Sequence, residues 1–322
     1  MPAQVEQLPL FSTPPDELST AAAAHGPARD PAGTLKTTAS LKAAIVAWCE
    51  HLRREGAREN TIKAFGGDLN LFATFVGAGR SLDQISTRDL EKWLQAQKAS
   101  GRSPKTYARR ITSLKAFFRW LEQAGVLTTD PAGPIIQQSV LSPLPVYLTE
   151  AEVEEAKAAA RALWRHPDKP DIRPYLLFTL LIQTGIKKSE CLNLEPNHID
   201  HSNPDEPVLW VRYPEARNRY KERKLRLEPG WIQVYQTYLA EQKPAQKLFP
   251  YKARRLEYLL EDITNAAGLD KHISFEMCRW TCAVRDARAG MDFDKIRQKL
   301  GLSKIQWREI GAKLKKLVEA PL

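Results

Sequence analysis

Apolar residues recur at helical spacing along almost the whole chain, and one proline-rich interruption near its middle breaks that rhythm. A pattern of this period cannot lie as a strand, so it restricts the chain to a mainly α architecture in two blocks. In the first block Leu41, Ile45, Trp48 and Leu52 repeat at three- and four-residue steps, and so do Ile62, Phe65, Leu69 and Phe72. Glu59-Asn60-Thr61 offers capping chemistry before the second of these runs. Ser86-Thr87-Arg88-Asp89 opens a helix carrying Leu90, Trp93 and Leu94; Ser103-Pro104 opens another carrying Tyr107, Ile111, Leu114, Phe117, Phe118 and Leu121. Four or five short helices with aromatic seams make a compact bundle.

The breakers Asp130-Pro131-Ala132-Gly133-Pro134 and Ser142-Pro143-Leu144-Pro145 mark a linker between two domains. The expected boundaries are a disordered tail over 1–37, a helical domain over 38–127, the linker over 128–146 and a second domain over 147–322. The tail is rich in Pro and Ala; Leu8, Leu10 and Phe11 interrupt it, and a tail without function is expected there ahead of a short docking motif. In the second block Thr149 and Glu152 form a capping box, and a buried helix covers Tyr175 to Gln183. Val208 to Tyr213 and Lys224 to Leu227 alternate as two strands of a hairpin, and from Trp231 the period is again helical.

The 322 residues carry a formal charge of +10, with an isoelectric point near 9.4. That balance favours a polyanionic partner. The longest apolar run, Tyr175 to Ile182, is too short to span a bilayer, so no membrane partner is expected. The first residues lack a basic region followed by an apolar core, and the expected localisation is cytoplasmic. Cys278 and Cys282 stand one helical turn apart, with Cys191 and His272 as further candidate ligands, but their spacing matches no recognised metal motif. Reduced, mostly buried thiols are expected, with no metal and no cofactor.

The segment Thr184-Gly185-Ile186-Lys187-Lys188-Ser189-Glu190-Cys191-Leu192 resembles the T-G-[LM]-R-[IV]-S-E-[LA] signature of the tyrosine recombinases, the phage integrase family. Glu59-Asn60-Thr61-Ile62-Lys63-Ala64-Phe65, with Asp68-Leu69 and Phe72, is similar to that family's S-x-N-T-I-x-A-Y segment. Lys105-Thr106-Tyr107-Ala108-Arg109-Arg110-Ile111 and Ser113-Leu114-Lys115-Ala116-Phe117-Phe118 resemble the helix such proteins lay against DNA. The resemblance runs from residue 40 to 312. It implies an N-terminal SAM-like core-binding domain and a C-terminal helical catalytic-type domain with a small β-sheet. Double-stranded DNA is the implied partner, contacted by Lys63, Lys105, Thr106, Arg109, Arg110, Lys115, Lys187, Arg217, Arg219, Lys221, Arg223 and Arg279. Cations of this kind neutralise phosphates and release counterions. An active recombinase or a second copy of the chain is a further expected partner, and Ile310 to Leu317 forms a short amphipathic segment able to dock in cis or in trans.

The resemblance also implies a chemistry whose residues this sequence replaces. The family cleaves DNA with a tyrosine, clamps the transition state with two arginines and donates a proton from a hairpin lysine. The first arginine is Lys187, which keeps the charge and loses the planar fork. The hairpin lysine falls on Asn218, although a small shift would bring Arg217, Arg219 or Lys221 there. In the H-x-L-R-H box the first histidine is Glu276, the arginine is Arg279 and the second histidine is Trp280. In the last box the histidine is Leu302 and the tyrosine falls on Gly311; no tyrosine follows Tyr258. Ser303 and Cys282 are the remaining nucleophiles nearby, and neither has an adjacent histidine as base. The expectation is a DNA-binding protein without strand cleavage, serving a recombination or maintenance site of a mobile element, phage or plasmid. An active but divergent recombinase and a helical protein-interaction adaptor are the two rivals.

Overall fold

In the computed structural model, residues 31–137 and 143–320 are described. Leu8, Leu10, Phe11, most of the expected tail and Ser142 of the expected linker lie outside these residues. The chain divides into two compact units, with the boundary between Ser142 and Pro143.

The first unit contains α1 (Leu41–Arg54), α2 (Glu59–Val76), α3 (Thr87–Ala99) and α4 (Pro104–Gln123). Ser40 caps α1 by accepting from the Ala43 N–H, and Ser103 caps α4 by accepting from Thr106, with Pro104 at the first helical position. Helix α2 differs from the sequence expectation. It starts at Glu59 itself, and Arg58 before it makes no side-chain cap. Glu59 therefore acts in the first turn, where a carboxylate suits the helix dipole. Leu69, Phe72, Trp93, Phe117 and Phe118 fill the core, with Phe72 edge-on to Trp93 at 5.5 Å. Part of the proline-rich stretch belongs to this unit: Ala132 and Ile135 are buried in its core, and Thr87 donates to the Pro131 carbonyl.

One polar network crosses this core. Asp68 on α2 is buried, accepts from Ser113 at 2.9 Å and pairs with Arg109 and Arg110 from α4. Arg110 is itself buried over the Trp93 ring and donates to Gln97. Asp68→Asn should lower the unfolding free energy by about 2 kcal/mol, because two guanidiniums lose their charged acceptor. Urea denaturation checks this, as a lower midpoint at unchanged slope.

The second unit contains α5 (Glu150–Trp164), α6 (Arg173–Thr184) and α7 (Lys188–Asn193), then β1 (Ile199–Asp200), β2 (Val208–Val211) and β3 (Arg223–Arg226). After the sheet come α8 (Pro229–Gln242), α9 (Ala253–Ala267), α10 (Phe275–Arg288), α11 (Phe293–Lys299) and α12 (Lys304–Glu319). Thr149 and Glu152 close the expected capping box on α5. The sheet is antiparallel in the order β1-β2-β3, with Ile199 opposite Leu209 and Leu209 opposite Leu225. Helix α6 is buried along nearly its whole length and is the central element of the core. Among the described residues, no helix is long and apolar enough to cross a membrane.

Candidate nucleic-acid interface

The signature segment is a helix stop followed by a helix start. Gly185 ends α6 in the left-handed conformation, with φ 58°, and its N–H bonds the Leu181 carbonyl. A Cβ there would stand 2.9 Å from Leu300 Cδ2 and 3.2 Å from Cys282 Sγ, so both the backbone angle and the close packing require glycine. Lys187 then caps α7, and its N–H donates to Glu190 Oε2 at 2.8 Å.

Glu190 is the hub of the site. Its buried carboxylate accepts a two-pronged pair from Arg223 on β3, with both N···O distances 3.0 Å. The Tyr213 hydroxyl donates to it as well. Burial alone would raise its pKa, but Arg223, the Lys187 N–H and Tyr213 together hold it down at about 2. Burial and the same carboxylate push the Tyr213 hydroxyl above its usual range.

The turn between α11 and α12 joins the network. Arg223 Nε donates to the Lys299 carbonyl at 2.6 Å, and Arg279 on α10 donates to the carbonyls of Gly185 and Leu300. Gly301 sits in this turn with φ 58°, and a Cβ on it would stand 2.7 Å from Arg223 Nη1. Three sequence-distant segments are thus brought together: α7, β3 and the end of α11 with α10 beside it. Lys187 lies within this cationic cluster. Burial is the main cause that draws its pKa down to about 8; Glu190 opposes this, and Arg279, Arg223 and Lys221 add to it. Burial likewise lowers the Arg279 guanidinium to about 10, still charged at neutral pH.

The expected DNA-contacting residues fall into distinct groups. Lys63, Lys105, Arg217 and Arg219 are exposed. Lys63 lies 4.0 Å from Glu59, and Arg217 pairs with Glu215 at 2.9 Å. Lys115 donates to the Gly133 carbonyl, and the Thr106 hydroxyl bonds Ser103. Lys221 donates to Asn218 at 2.9 Å and lies over the Tyr220 ring. Arg110 corrects the sequence reading: helix α4 carries it inward to Asp68 rather than out with Lys105. Arg109 bonds Asp68 and the Ala64 carbonyl, and Arg223 is committed to Glu190. Arg279 uses two of a guanidinium's five N–H groups on carbonyls.

The remaining aligned positions fall on α10, α12 and the turn before α12. Glu276 is exposed in the first turn of α10. Leu302 is buried among Ala283, Ile296 and Leu314, and Trp280 packs on the same cluster. Gly311 is buried inside α12, where a Cβ would meet the Trp307 indole at 3.0 Å. The Ser303 hydroxyl caps α12 by accepting from Gln306. Cys282 is buried, and burial pushes its thiol up to about 11. Glu190 and Tyr213 are not among the residues that the sequence singles out for the site. The Ser189-Glu190 pair of the signature was the available signal, but its partner Arg223 lies 33 residues away.

The first unit matches the phage integrase N-terminal SAM-like domain over residues 45–125, and the second matches the phage integrase family over residues 146–310. The chain belongs to the phage integrase family. It is 35% identical over 153 residues to the tyrosine recombinase XerC of Mycobacterium leprae, a match covering 47% of this chain and 52% of that protein. This chain thus spans about half the length of the first curated relatives it matches. A longer match, 26% identical over 282 residues, covers 85% of the chain and 88% of the tyrosine recombinase XerC of Corynebacterium glutamicum. In fold it resembles a lambda integrase dimer bound to a COC' core site, with TM-score 0.66, 14% identity, and 89% and 81% of the two chains covered. It also resembles the XerH recombinase in a post-cleavage complex with a palindromic difH substrate, with TM-score 0.63, 18% identity, and 87% and 83% covered.

Proposed function

We propose that this protein binds double-stranded DNA on the recombinase scaffold and does not cleave it. The observation that carries the second half is Gly311. The position aligned with the nucleophile has no side chain and lies buried against Trp307, and residues 259–322 hold no tyrosine. Lys187, Glu276 and Leu302 replace three further members of the catalytic set. A carboxylate at Glu276 would repel a scissile phosphate rather than stabilise it.

Binding is supported by the net charge of +10 and by the exposure of Lys63, Lys105, Arg217 and Arg219. Lys187, Lys221 and Arg279 supply a second group of cations around the half-buried cluster. The protein would act at a recombination or maintenance site of a mobile element, phage or plasmid. It would do so architecturally, as a partner of an active recombinase or of a second copy, or as a repressor. Selection of bound duplexes from a random-sequence pool tests this. Lys105→Gln and Arg219→Gln should each weaken binding about uniformly across sequences and lower the salt slope by about one. Failure to retain any duplex at low salt would favour the protein-interaction adaptor instead.

A further inference from the structure

A cavity of about 690 Å³ opens beside the sheet, between the end of α7 and the β2–β3 hairpin. Strand alternation creates it. Leu209, Val211 and Leu225 point into the core, which leaves Trp210 and its cross-strand partner Lys224 on the other face. Asn193, His198, Arg212 and Lys247 complete the part of the lining that matters here.

The charges in this cavity are unequally satisfied. Lys247 bonds Glu195 at 3.1 Å, and Glu222 accepts from the Tyr213 N–H at 2.9 Å. Arg212 and Lys224 form no ion pair among the described residues. Both lie on the Trp210 ring instead, with Lys224 Nζ 4.0 Å and Arg212 Cζ 4.8 Å from its centroid. A cation on a partly solvated indole such as half-buried Trp210 gains only about 0.5–1 kcal/mol. A phosphate offers each a charge-assisted hydrogen bond, which is stronger. Moving the two cations onto a phosphate would uncover the indole, and an uncovered indole stacks well on a base. The volume lies within the range of small-ligand sites, and Asn193 and His198 supply polar groups for a base edge.

We propose that this cavity binds a nucleoside phosphate, with the base on Trp210 and the phosphate between Arg212 and Lys224. The ligand is either a free mononucleotide or the 5′-phosphorylated end of a strand, since both present the same group. The proposal does not rest on duplex binding.

Titration calorimetry of the full chain tests it, using AMP, inorganic phosphate and a short single-stranded oligonucleotide with and without a 5′-phosphate. AMP should saturate, with Kd on the order of 100 μM, and phosphate alone should bind more weakly. Trp210→Leu and the double change Arg212→Gln with Lys224→Gln should each weaken AMP by about tenfold or more, while Trp210→Phe retains binding. For the strand-end source, the phosphorylated oligonucleotide binds with the same dependence on these variants and its unphosphorylated twin does not. Unaltered duplex binding by the same variants separates this result from the fate of the duplex reading. The proposal is overturned if neither AMP nor the phosphorylated oligonucleotide saturates, or if Trp210→Leu and the double variant bind them like the parent.

Discussion

Glu190→Gln should lower the unfolding free energy by about 3–5 kcal/mol, the largest single loss expected in the second unit. The substitution keeps the shape of the side chain and leaves the Arg223 guanidinium largely buried without its counter-charge. Arg223→Met should cost a comparable amount for the converse reason. The double variant should cost clearly less than the two losses added, because neither charge is then left unpaired. Denaturant unfolding of the four proteins measures the coupling, and strict additivity would contradict the role given to this pair. The pH dependence follows from the same carboxylate. Its folded pKa of about 2 lies below the ordinary glutamate value of 4.5, so its stabilisation is complete above about 4.5 and is lost as pH falls toward about 2. Glu190→Gln should therefore flatten the acid limb of the stability curve in that window.

The second large effect concerns Lys187. With its pKa drawn down to about 8 from 10.5, the ammonium is lost from the free protein as pH rises through 8. A bound phosphate favours the charged form, so binding above pH 8 must take up a proton. Duplex affinity should fall by up to about tenfold per pH unit from about pH 8 upward, until the pKa of the complex is reached. Lys187→Arg should move this dependence to higher pH, since a guanidinium starts from a higher pKa than an ammonium and even the buried Arg279 holds its proton to about 10. The stability slope has the same sign as that of Glu190, because this folded pKa is depressed too, although depressing an ammonium costs stability at neutral pH. Between about 8 and 10.5 the unfolded chain holds the proton and the folded chain does not, so this group makes stability rise with pH in that interval. Affinity measured at constant ionic strength from pH 7 to 10 checks the prediction, and equal slopes for the parent and Lys187→Arg would refute it.

The helices were legible because their signals are local. Ser103-Pro104, Thr149 with Glu152, and the apolar repeats of α4 and α6 each act within a few turns, and the fold follows them. Two-residue β1 was not legible, since Ile199-Asp200 is too short to show alternation. The site was only partly readable. The sequence singles out its cations as residues, but their environments depend on long-range packing. Arg109 and Arg110 are neighbours of Lys105 in sequence, yet the rotation of α4 turns Arg110 onto Asp68, some 40 residues away. Arg223 reads as one more hairpin cation until Glu190 is seen beneath it. The two glycines follow the same logic: Gly185 was recognisable as part of a signature, whereas the reason for Gly301 is a guanidinium brought in from β3.

A scaffold that holds DNA without cutting it must retain duplex and form no covalent adduct. The most direct measurement is a covalent-adduct assay on a nicked suicide substrate built from a duplex the protein itself selects, with duplex retention recorded on the same sample. Retention without any adduct is the predicted result for the parent protein. A covalent adduct formed by the parent protein would contradict the account.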